Sequence, residues 1–225
     1  MSQGIKLWDG TRWVQKNDAA RIWNGNSWQK AKVKLWTAQG EGFRTVSETQ
    51  HQKTWEATWT QGYWGNGEAK PNYRLSVANR VMQGRYGAPW SLEWEGGIQG
   101  GMIGFDDNDI RNSLRDSAIE KVELYLHSQH WWYYAGGTAI IGCHNARGWQ
   151  GRFQEINYNV AQQRYYNRDE GHWITLPNWV GDNFRDNRLA GITTHANSSD
   201  AWYYGYFHGT NDGWKKPKLR ITYRK

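Results

Sequence analysis

The chain has 225 residues, of which only 38% are hydrophobic, yet it holds 17 Trp, 13 Tyr and 5 Phe. This aromatic content excludes an intrinsically disordered chain despite a mean hydropathy of -0.95, because disordered segments lack aromatic residues. One cysteine excludes an intrachain disulfide, and no apolar stretch has the length of a membrane span or a secretory leader. We therefore expect synthesis in a cytoplasm without a signal peptide, and no membrane partner.

The net charge is +7 and the isoelectric point is about 9.4. Such an excess favours anionic partners, for example wall polymers or acidic glycans. Solvated lysine faces and charged edge strands would produce the same excess. The basic residues do not alternate with a stripe of aromatic rings, as single-strand binders require, so we expect no nucleic-acid partner.

A repeat of tryptophan pairs occupies the start of the chain. Residues 6–13 read Lys-Leu-Trp-Asp-Gly-Thr-Arg-Trp, residues 21–28 read Arg-Ile-Trp-Asn-Gly-Asn-Ser-Trp, and residues 33–37 begin an incomplete third copy. The Asp-Gly and Asn-Gly steps predict β-hairpins with two-residue type I′ turns. Short hairpins cannot bury their own faces. We therefore expect residues 1–42 to be an attachment arm that docks through its tryptophans, namely Trp8, Trp13, Trp23, Trp28 and Trp36.

Alternating residues predict longer strands after the arm. Residues 54–60 place Trp55, Ala57 and Trp59 on one face and polar residues on the other, which predicts one strand. Residues 119–126 end in a stronger alternation, in which Val122, Leu124 and Leu126 face inward and the intervening residues, including Glu123, face outward.

A further apolar strand is predicted at residues 138–143, paired with the preceding strand through the glycines at 136 and 137. Its lone Cys143 is typical of a small core residue rather than a nucleophile. Later strands are predicted at residues 172–176, 189–194, 202–207 and 218–223. One short helix is predicted within residues 105–115, where an acidic cap precedes Ile110 and Leu114.

Many short strands connected without long helices predict an all-β fold. We expect a jelly-roll-type β-sandwich at residues 43–225, preceded by the N-terminal arm of Trp-rich β-hairpin repeats at residues 1–42.

Two aromatic blocks, at residues 130–134 and 201–208, are the candidate binding surface. Side chains alternate between the two faces of a strand, so only half of each block can be core. The other half would pack elsewhere in the fold, form a protein interface or stack on sugar rings. The candidate residues are Trp131, Trp132, Tyr133, Tyr134, Trp202, Tyr203, Tyr204 and Tyr206.

The sequence offers no firm catalytic or metal site. The acidic residues 106–109 fail the EF-hand spacing and are better explained as a helix cap. The seven histidines form no ligand pair on a single element, and adjacent acids such as Asp169 and Glu170 are typical of solvated loops. Nucleophile-elbow, phosphate-loop and dinucleotide motifs are missing. We therefore expect no enzyme activity, no cofactor and no bound metal.

Several segments resemble a known family. Residues 119–126 and 130–142, followed by residues 203–207 and 217–223, are similar to the minor tail proteins of tailed phages that infect actinobacteria. The Trp-x-Gly-x-x-Trp repeats resemble repeats in the same phage proteins. The C-terminal part is similar, more loosely, to the DNRLRE-type carbohydrate-binding sandwich.

The resemblance implies a structural protein on the surface of a virion, assembled in the host cytoplasm as a minor tail protein or a capsid decoration protein. It also implies other virion proteins as partners, either of the tail or the major capsid protein, with host cell-wall polysaccharide as a further ligand and a homo-oligomer such as a trimer. The alternatives are a free carbohydrate-binding module or lectin, and a wall-polysaccharide depolymerase.

Overall fold

The computed structural model describes residues 6–8, 10–15, 21–30, 34–37, 42–45, 49–69, 80–85 and 97–225. By its internal contacts the chain divides into two units, Met1–His51 with Arg224–Lys225, and Gln52–Tyr223. The first six strands are β1 (Lys6–Trp8), β2 (Trp13–Gln15), β3 (Arg21–Trp23), β4 (Trp28–Lys30), β5 (Lys34–Thr37) and β6 (Gly42–Thr45).

These six strands form three antiparallel hairpins, which confirms the predicted hairpin repeats. Trp8 pairs with Trp13 across β1 and β2, and Trp23 pairs with Trp28 across β3 and β4. The third copy, expected to be incomplete, is a hairpin in which Trp36 of β5 pairs with Phe43 of β6. The division predicted after residue 42 remains a prediction, and the hairpin β5–β6 spans it.

The turn of the second hairpin differs from the prediction. Residues 24–27 all lie between the paired tryptophans, and the Asn24 N–H donates to the Ser27 carbonyl at 3.2 Å, so Gly25 and Asn26, rather than Asn24 and Gly25, lie at the tip of the turn. The Asn24 side-chain oxygen accepts hydrogen bonds from the backbone N–H groups of Asn26 (2.9 Å) and Ser27 (2.8 Å). Gly25 takes the positive φ, at 95°. The Asn side chain therefore closes the loop as an Asx turn.

The remaining elements build the sandwich. They are β7 (Gln50–Glu56), β8 (Trp59–Tyr63), β9 (Val81–Gln83), β10 (Gly100–Gly104), α1 (Asp107–Leu114), β11 (Ala118–Trp131), β12 (Thr138–His144), β13 (Asn157–Arg164), β14 (Glu170–Leu176), α2 (Asn178–Arg185), β15 (Gly191–His195), β16 (Gly205–Phe207) and β17 (Lys218–Arg224). Two 3-10 helices, Ala201–Tyr203 and Gly213–Lys215, flank β16. None of the helices in the described part of the chain is both long and apolar enough to cross a membrane.

The strands form two sheets, which confirms the predicted all-β sandwich. One sheet has the order β13-β12-β15-β10-β8, and the other has the order β7-β17-β11-β16-β9 with β14 also paired to β11. A single hydrophobic cluster joins residues of both sheets, such as Leu124 and Phe207 from one and Ile141 and Ile192 from the other. The core therefore lies between the sheets, as in other sandwiches.

Strand β11 follows its predicted alternation on the inner face only. Val122, Leu124 and Leu126 have no exposed surface. Glu123, predicted to face outward, is also buried at 5% exposure. The Arg220 Nε donates to it at 2.9 Å, and this hydrogen bond lowers the pKa of the Glu123 carboxyl.

The strand predicted at residues 54–60 is wrong, because the chain changes sheets within it. Strand β7 ends at Glu56 and β8 begins at Trp59 in the opposite sheet. Between them, the Ala57 N–H donates to the Pro217 carbonyl and the Thr58 N–H to the Gly104 carbonyl, both at 2.9 Å. The alternation continues across a corner of the sandwich, so the pattern alone hides the break.

The pairing predicted for residues 138–143 is also wrong. Strand β12 lies between β13 and β15, in the sheet opposite β11. Its Cys143 is in the core, as predicted, and burial raises the pKa of this thiol to about 12.

The short helix is confirmed as α1. The Asp106 side chain accepts from the Asp109 N–H at 3.0 Å, and Ile110 and Leu114 are fully buried. The Asp109 carboxylate accepts from the Lys53 ammonium and from the Trp55 indole. The acidic residues therefore cap the helix and bind side-chain donors of the same chain. Helix α2, with Val180 and Phe184 buried, was not expected from the sequence.

A candidate binding surface of arginines and aromatic rings

Three segments of the sandwich meet at one surface. They are the connection 132–137 after β11, the end of β13 with the connection 165–169, and the 3-10 helix Ala201–Tyr203. Backbone hydrogen bonds between Gly137 and Tyr165, at 3.2 and 2.8 Å, join the first two segments. The Trp202 indole donates to the Thr138 hydroxyl at 3.0 Å and fixes the third. We call the resulting surface the arginine–aromatic platform, defined as Tyr133, Tyr134, Arg164, Tyr166, Arg168 and Trp202.

Arg164 stacks on the indole of the platform. Its guanidinium carbon lies 3.8 Å from the Trp202 ring centroid and 5.2 Å from that of Tyr166. One guanidinium nitrogen donates to the Ala135 carbonyl at 2.8 Å, which holds the group in place. The Tyr133 ring lies 5.9 Å from Trp202, so two aromatic rings border the same arginine–tryptophan stack.

Arg168 forms a second stack beside the first. Its guanidinium carbon lies 3.7 Å from the Tyr134 ring centroid, and one nitrogen donates to the Trp132 carbonyl at 2.8 Å. The Glu170 carboxylate accepts from the N–H groups of Tyr166 (2.6 Å) and Asn167 (3.0 Å) and so fixes the connecting loop. Cation–π pairs of this kind stabilise an exposed site by about 0.5–1 kcal/mol.

The platform is accessible and positively charged. Tyr134 is 82% exposed, Tyr166 64% and Tyr133 44%. Neither guanidinium forms an ion pair with a carboxylate of the described residues. Arg164 Nη1 and Arg168 Nε are buried and have no hydrogen-bond partner among those residues. Two fixed guanidinium groups without a carboxylate partner among the described residues therefore lie beside exposed aromatic rings, an arrangement suited to a ligand that is both ring-shaped and anionic.

The other predicted aromatic residues are not on the platform. Trp131, at the end of β11, has no exposed surface and packs in the core against Tyr165 and Phe207. Its assignment as a surface aromatic is wrong, because residue 131 points between the sheets.

Most of the other predicted aromatic residues belong to a separate cluster of rings. His130 stacks on Tyr206 with centroids 4.9 Å apart and contacts Tyr204 at 6.2 Å, and Trp132 contacts Tyr204 at 6.4 Å. Tyr203 is half-buried in the 3-10 helix. The predicted strand 202–207 is therefore wrong in its first half, because residues 201–203 form a 3-10 helix and β16 begins only at Gly205.

Three platform residues, Arg164, Tyr166 and Arg168, were missed from the sequence. Residues 164–168 read Arg-Tyr-Tyr-Asn-Arg, a pair of aromatics between two arginines. This pair of aromatic residues between two arginines is the sequence signal for the surface. The signal becomes informative only when the connection 132–137 is known to lie against residues 164–168.

The arm tryptophans are described only at the second hairpin. Trp23 and Trp28 are 51% and 62% exposed, with ring centroids 5.6 Å apart. The side chains of Trp8, Trp13 and Trp36 lie outside the described residues. The described pair presents apolar surface on a hairpin too small to bury it.

The structure also brings together residues that the sequence kept apart. His127 of β11, Asp169 before β14 and His208 after β16 offer ligand atoms that lie within 4.8 Å of one another. The expectation that the histidines remain scattered is wrong for this pair, whose ring centroids are 5.4 Å apart. Burial lowers the pKa of His127, whereas the hydrogen bond from Lys215 lowers that of Asp169.

Comparisons with known proteins give no family for the chain. No family model and no curated protein matches it. Among solved structures, it is similar to the K1 cleaved adhesin domain of Lys-gingipain from Porphyromonas gingivalis W83, at 12% identity, over 79% of this chain and 97% of that chain. The TM-score of 0.27 is too low for this similarity to support an argument about function.

Proposed function

We propose that the chain is a structural protein of a phage particle whose sandwich binds an acidic polysaccharide of the host cell wall through the arginine–aromatic platform. The observation that supports ligand binding most directly is the pair of guanidinium–ring stacks beside Tyr133, Tyr134 and Tyr166, which places two positive charges next to exposed aromatic surface. The virion context rests on the sequence resemblance alone. The proposal includes no catalytic step.

The chemistry of the platform favours an acidic sugar over a neutral one. Sugar rings present C–H bonds that pack on aromatic faces. Carboxylate or phosphate substituents accept charge-assisted hydrogen bonds from guanidinium groups, which are stronger than neutral ones. Both requirements are met within one surface, because Arg164 contacts Trp202 and Arg168 contacts Tyr134.

Substitutions on the platform should weaken polysaccharide binding. We expect Tyr134→Ala and Trp202→Ala each to raise the dissociation constant for a wall polysaccharide by about tenfold, a loss of about 1.4 kcal/mol, because each removes a ring and frees its stacked arginine. The measurement is calorimetric titration of the full chain with purified, acidic wall polysaccharides of actinobacteria. Trp149→Ala is the matched control, since Trp149 is 61% exposed and outside the platform. Equal weakening by Trp149→Ala, or no binding by the unchanged protein, would contradict the proposal.

Attachment to the particle is proposed to use the arm. Exposed Trp23 and Trp28 support this assignment, since an unburied aromatic pair on a two-stranded hairpin favours docking on another protein.

Deletion of residues 1–42 should separate folding from assembly. We expect the truncated protein to keep a cooperative thermal transition, because the elements of the sandwich core all lie after residue 49. It should be lost from particles, which quantitative mass spectrometry of purified virions would measure. Incorporation at the level of the full chain would refute the arm assignment.

The location on the particle distinguishes the two virion roles. A few copies at the tail in cryo-electron microscopy would assign a host-contact role, and many copies over the shell would assign capsid decoration. A chain missing from particles but able to bind the polysaccharide would be a free carbohydrate-binding module.

A further inference from the structure

Two buried histidines and an exposed aspartate form a cluster outside the platform. The His127 Nε2 lies 2.8 Å from one carboxylate oxygen of Asp169, and the His208 Nε2 lies 3.7 Å from the same oxygen. The backbone N–H of His208 donates to the backbone carbonyl of His127 at 3.0 Å, so the backbone holds the two imidazoles next to each other. Asp169 is 62% exposed at its side chain and leaves an opening to solvent.

His208 has unused bonding capacity at this cluster. Its side chain is only 10% exposed, and its Nε2 has no hydrogen-bond partner among the described residues, whereas its Nδ1 lies 3.2 Å from an Asp212 carboxylate oxygen. A buried polar atom without a partner destabilises the folded state, so native structures rarely retain one. The Nε2 faces the Asp169 carboxylate at a distance too long for a hydrogen bond, which leaves room for a third atom between them.

Each imidazole has an oxygen at its other nitrogen. The Tyr125 hydroxyl lies 3.0 Å from His127 Nδ1, and an Asp212 carboxylate oxygen lies 3.2 Å from His208 Nδ1. A histidine that ligates a metal through Nε2 carries its proton on Nδ1 and donates it to a neighbouring oxygen. Tyr125 and Asp212 are placed to accept those protons and so to present both Nε2 lone pairs to an ion.

We propose that His127, His208 and Asp169 bind a divalent transition-metal ion of the zinc type. Two imidazoles and one carboxylate are a ligand set that zinc accepts with water as the fourth ligand. Tetrahedral bonds of about 2.0–2.2 Å place neighbouring ligand atoms about 3.4 Å apart. The two His–Asp distances, 2.8 and 3.7 Å, lie on either side of that value, and the exposed Asp169 can adjust.

Lys215 competes with the ion for the same carboxylate. Its ammonium donates to both Asp169 oxygens, at 2.7 and 2.9 Å, and would have to leave when the metal binds. Removing this ammonium should therefore strengthen metal binding, whereas a merely structural histidine cluster would gain nothing from the change.

The test is calorimetric titration of the full chain with Zn²⁺, repeated with Co²⁺ to read the intense visible absorption of a tetrahedral site. We expect one ion per chain, a loss of at least about tenfold in affinity for Asp169→Asn and His208→Ala, and severalfold tighter binding for Lys215→Met. His195→Ala is the matched control, because His195 also faces a carboxylate, that of Glu155 at 3.0 Å, but lies outside the cluster.

Asp169→Asn keeps the test decisive if His208→Ala fails to fold, because Asp169 is a surface residue. Three results would overturn the proposal. They are no saturable binding by the unchanged protein, binding that Asp169→Asn leaves intact, and binding that His195→Ala abolishes as fully as Asp169→Asn does.

Discussion

Replacement of Trp131 by alanine should destabilise the sandwich by about 3–5 kcal/mol, as expected for removal of a fully buried large aromatic side chain. Trp131 has no exposed surface, and its ring lies 5.3 Å from Tyr165 and 5.5 Å from Phe207. Gly137 and Gly205 lie directly against the indole, where an added Cβ would come within 2.2 and 2.5 Å of its ring. Because the free energy of unfolding of a domain is only about 5–15 kcal/mol, this loss would be a large share of the total stability.

Urea denaturation followed by circular dichroism measures this effect. Trp149→Ala serves as the control, because the same change at a ring that is 61% exposed creates no internal cavity. Trp131→Phe should cost much less than Trp131→Ala, since it retains a ring and removes the buried indole N–H, which has no partner among the described residues. Equal midpoints for Trp131→Ala and Trp149→Ala would show that residue 131 is not a core residue.

Replacement of Gly136 by alanine should be nearly as damaging and should also distort the platform. Gly136 has a φ of 84°, in the left-handed region, and an added Cβ would lie 2.1 Å from the Tyr165 carbonyl oxygen. Backbone strain alone costs about 1–3 kcal/mol, and the clash is with backbone that cannot rotate away. Because the clash adds to the strain, we expect Gly136→Ala to lower the free energy of unfolding by about 3 kcal/mol, the upper end of the range for strain alone.

The Gly148→Ala variant separates the cost of the left-handed backbone conformation from the cost of the clash with Tyr165. Gly148 has almost the same φ, 85°, but no atom of the described residues lies within 4 Å of its added Cβ. The Gly148→Ala variant should lose only the free energy that a left-handed backbone conformation costs an alanine, about 1–2 kcal/mol. Thermal unfolding of the two variants in parallel gives the difference, which is the cost of the clash beneath the platform. Similar losses in both variants would mean that the connection 132–137 can move away from Tyr165.

The inner face of β11 and the cap of α1 could be predicted because both depend on residues that are close in sequence. The alternation of Val122, Leu124 and Leu126 directly gives the face that is buried. The Asp106 cap acts on Asp109, three residues along the chain. In contrast, the change of sheets at Ala57 depends on Pro217 and Gly104, which no local pattern reveals.

The platform could be predicted only in part. The aromatic density of their segments predicts Tyr133, Tyr134 and Trp202 as candidate binding residues, and Tyr133 and Tyr134 are exposed. The rule of alternating faces did not decide which residues of the first block belong to the core, so Trp131 remained among the candidates. The rule does not apply to residues 132–134, because β11 ends at Trp131. Arg164 and Arg168 belong to the platform because distant segments of the chain pair with one another. A single sequence does not show this pairing.

The histidine cluster escaped prediction for a related reason. Ligand spacing within a single element does not reveal the cluster. His127 and His208 meet through the pairing of β11 with β16, and Asp169 is placed by the pairing of β11 with β14. Such contacts depend on which residues of neighbouring strands lie opposite each other. The spacing of residues along the chain does not indicate them.

The sealed position of Cys143 gives the molecule a practical property. Since the chain has a single cysteine and its thiol is buried with a pKa of about 12, it stays protonated and out of reach of alkylating reagents in the native state. A cysteine introduced at an exposed position would therefore be the sole reactive thiol. Fluorophores, spin labels or crosslinkers can thus be placed at one chosen point without first removing a native thiol.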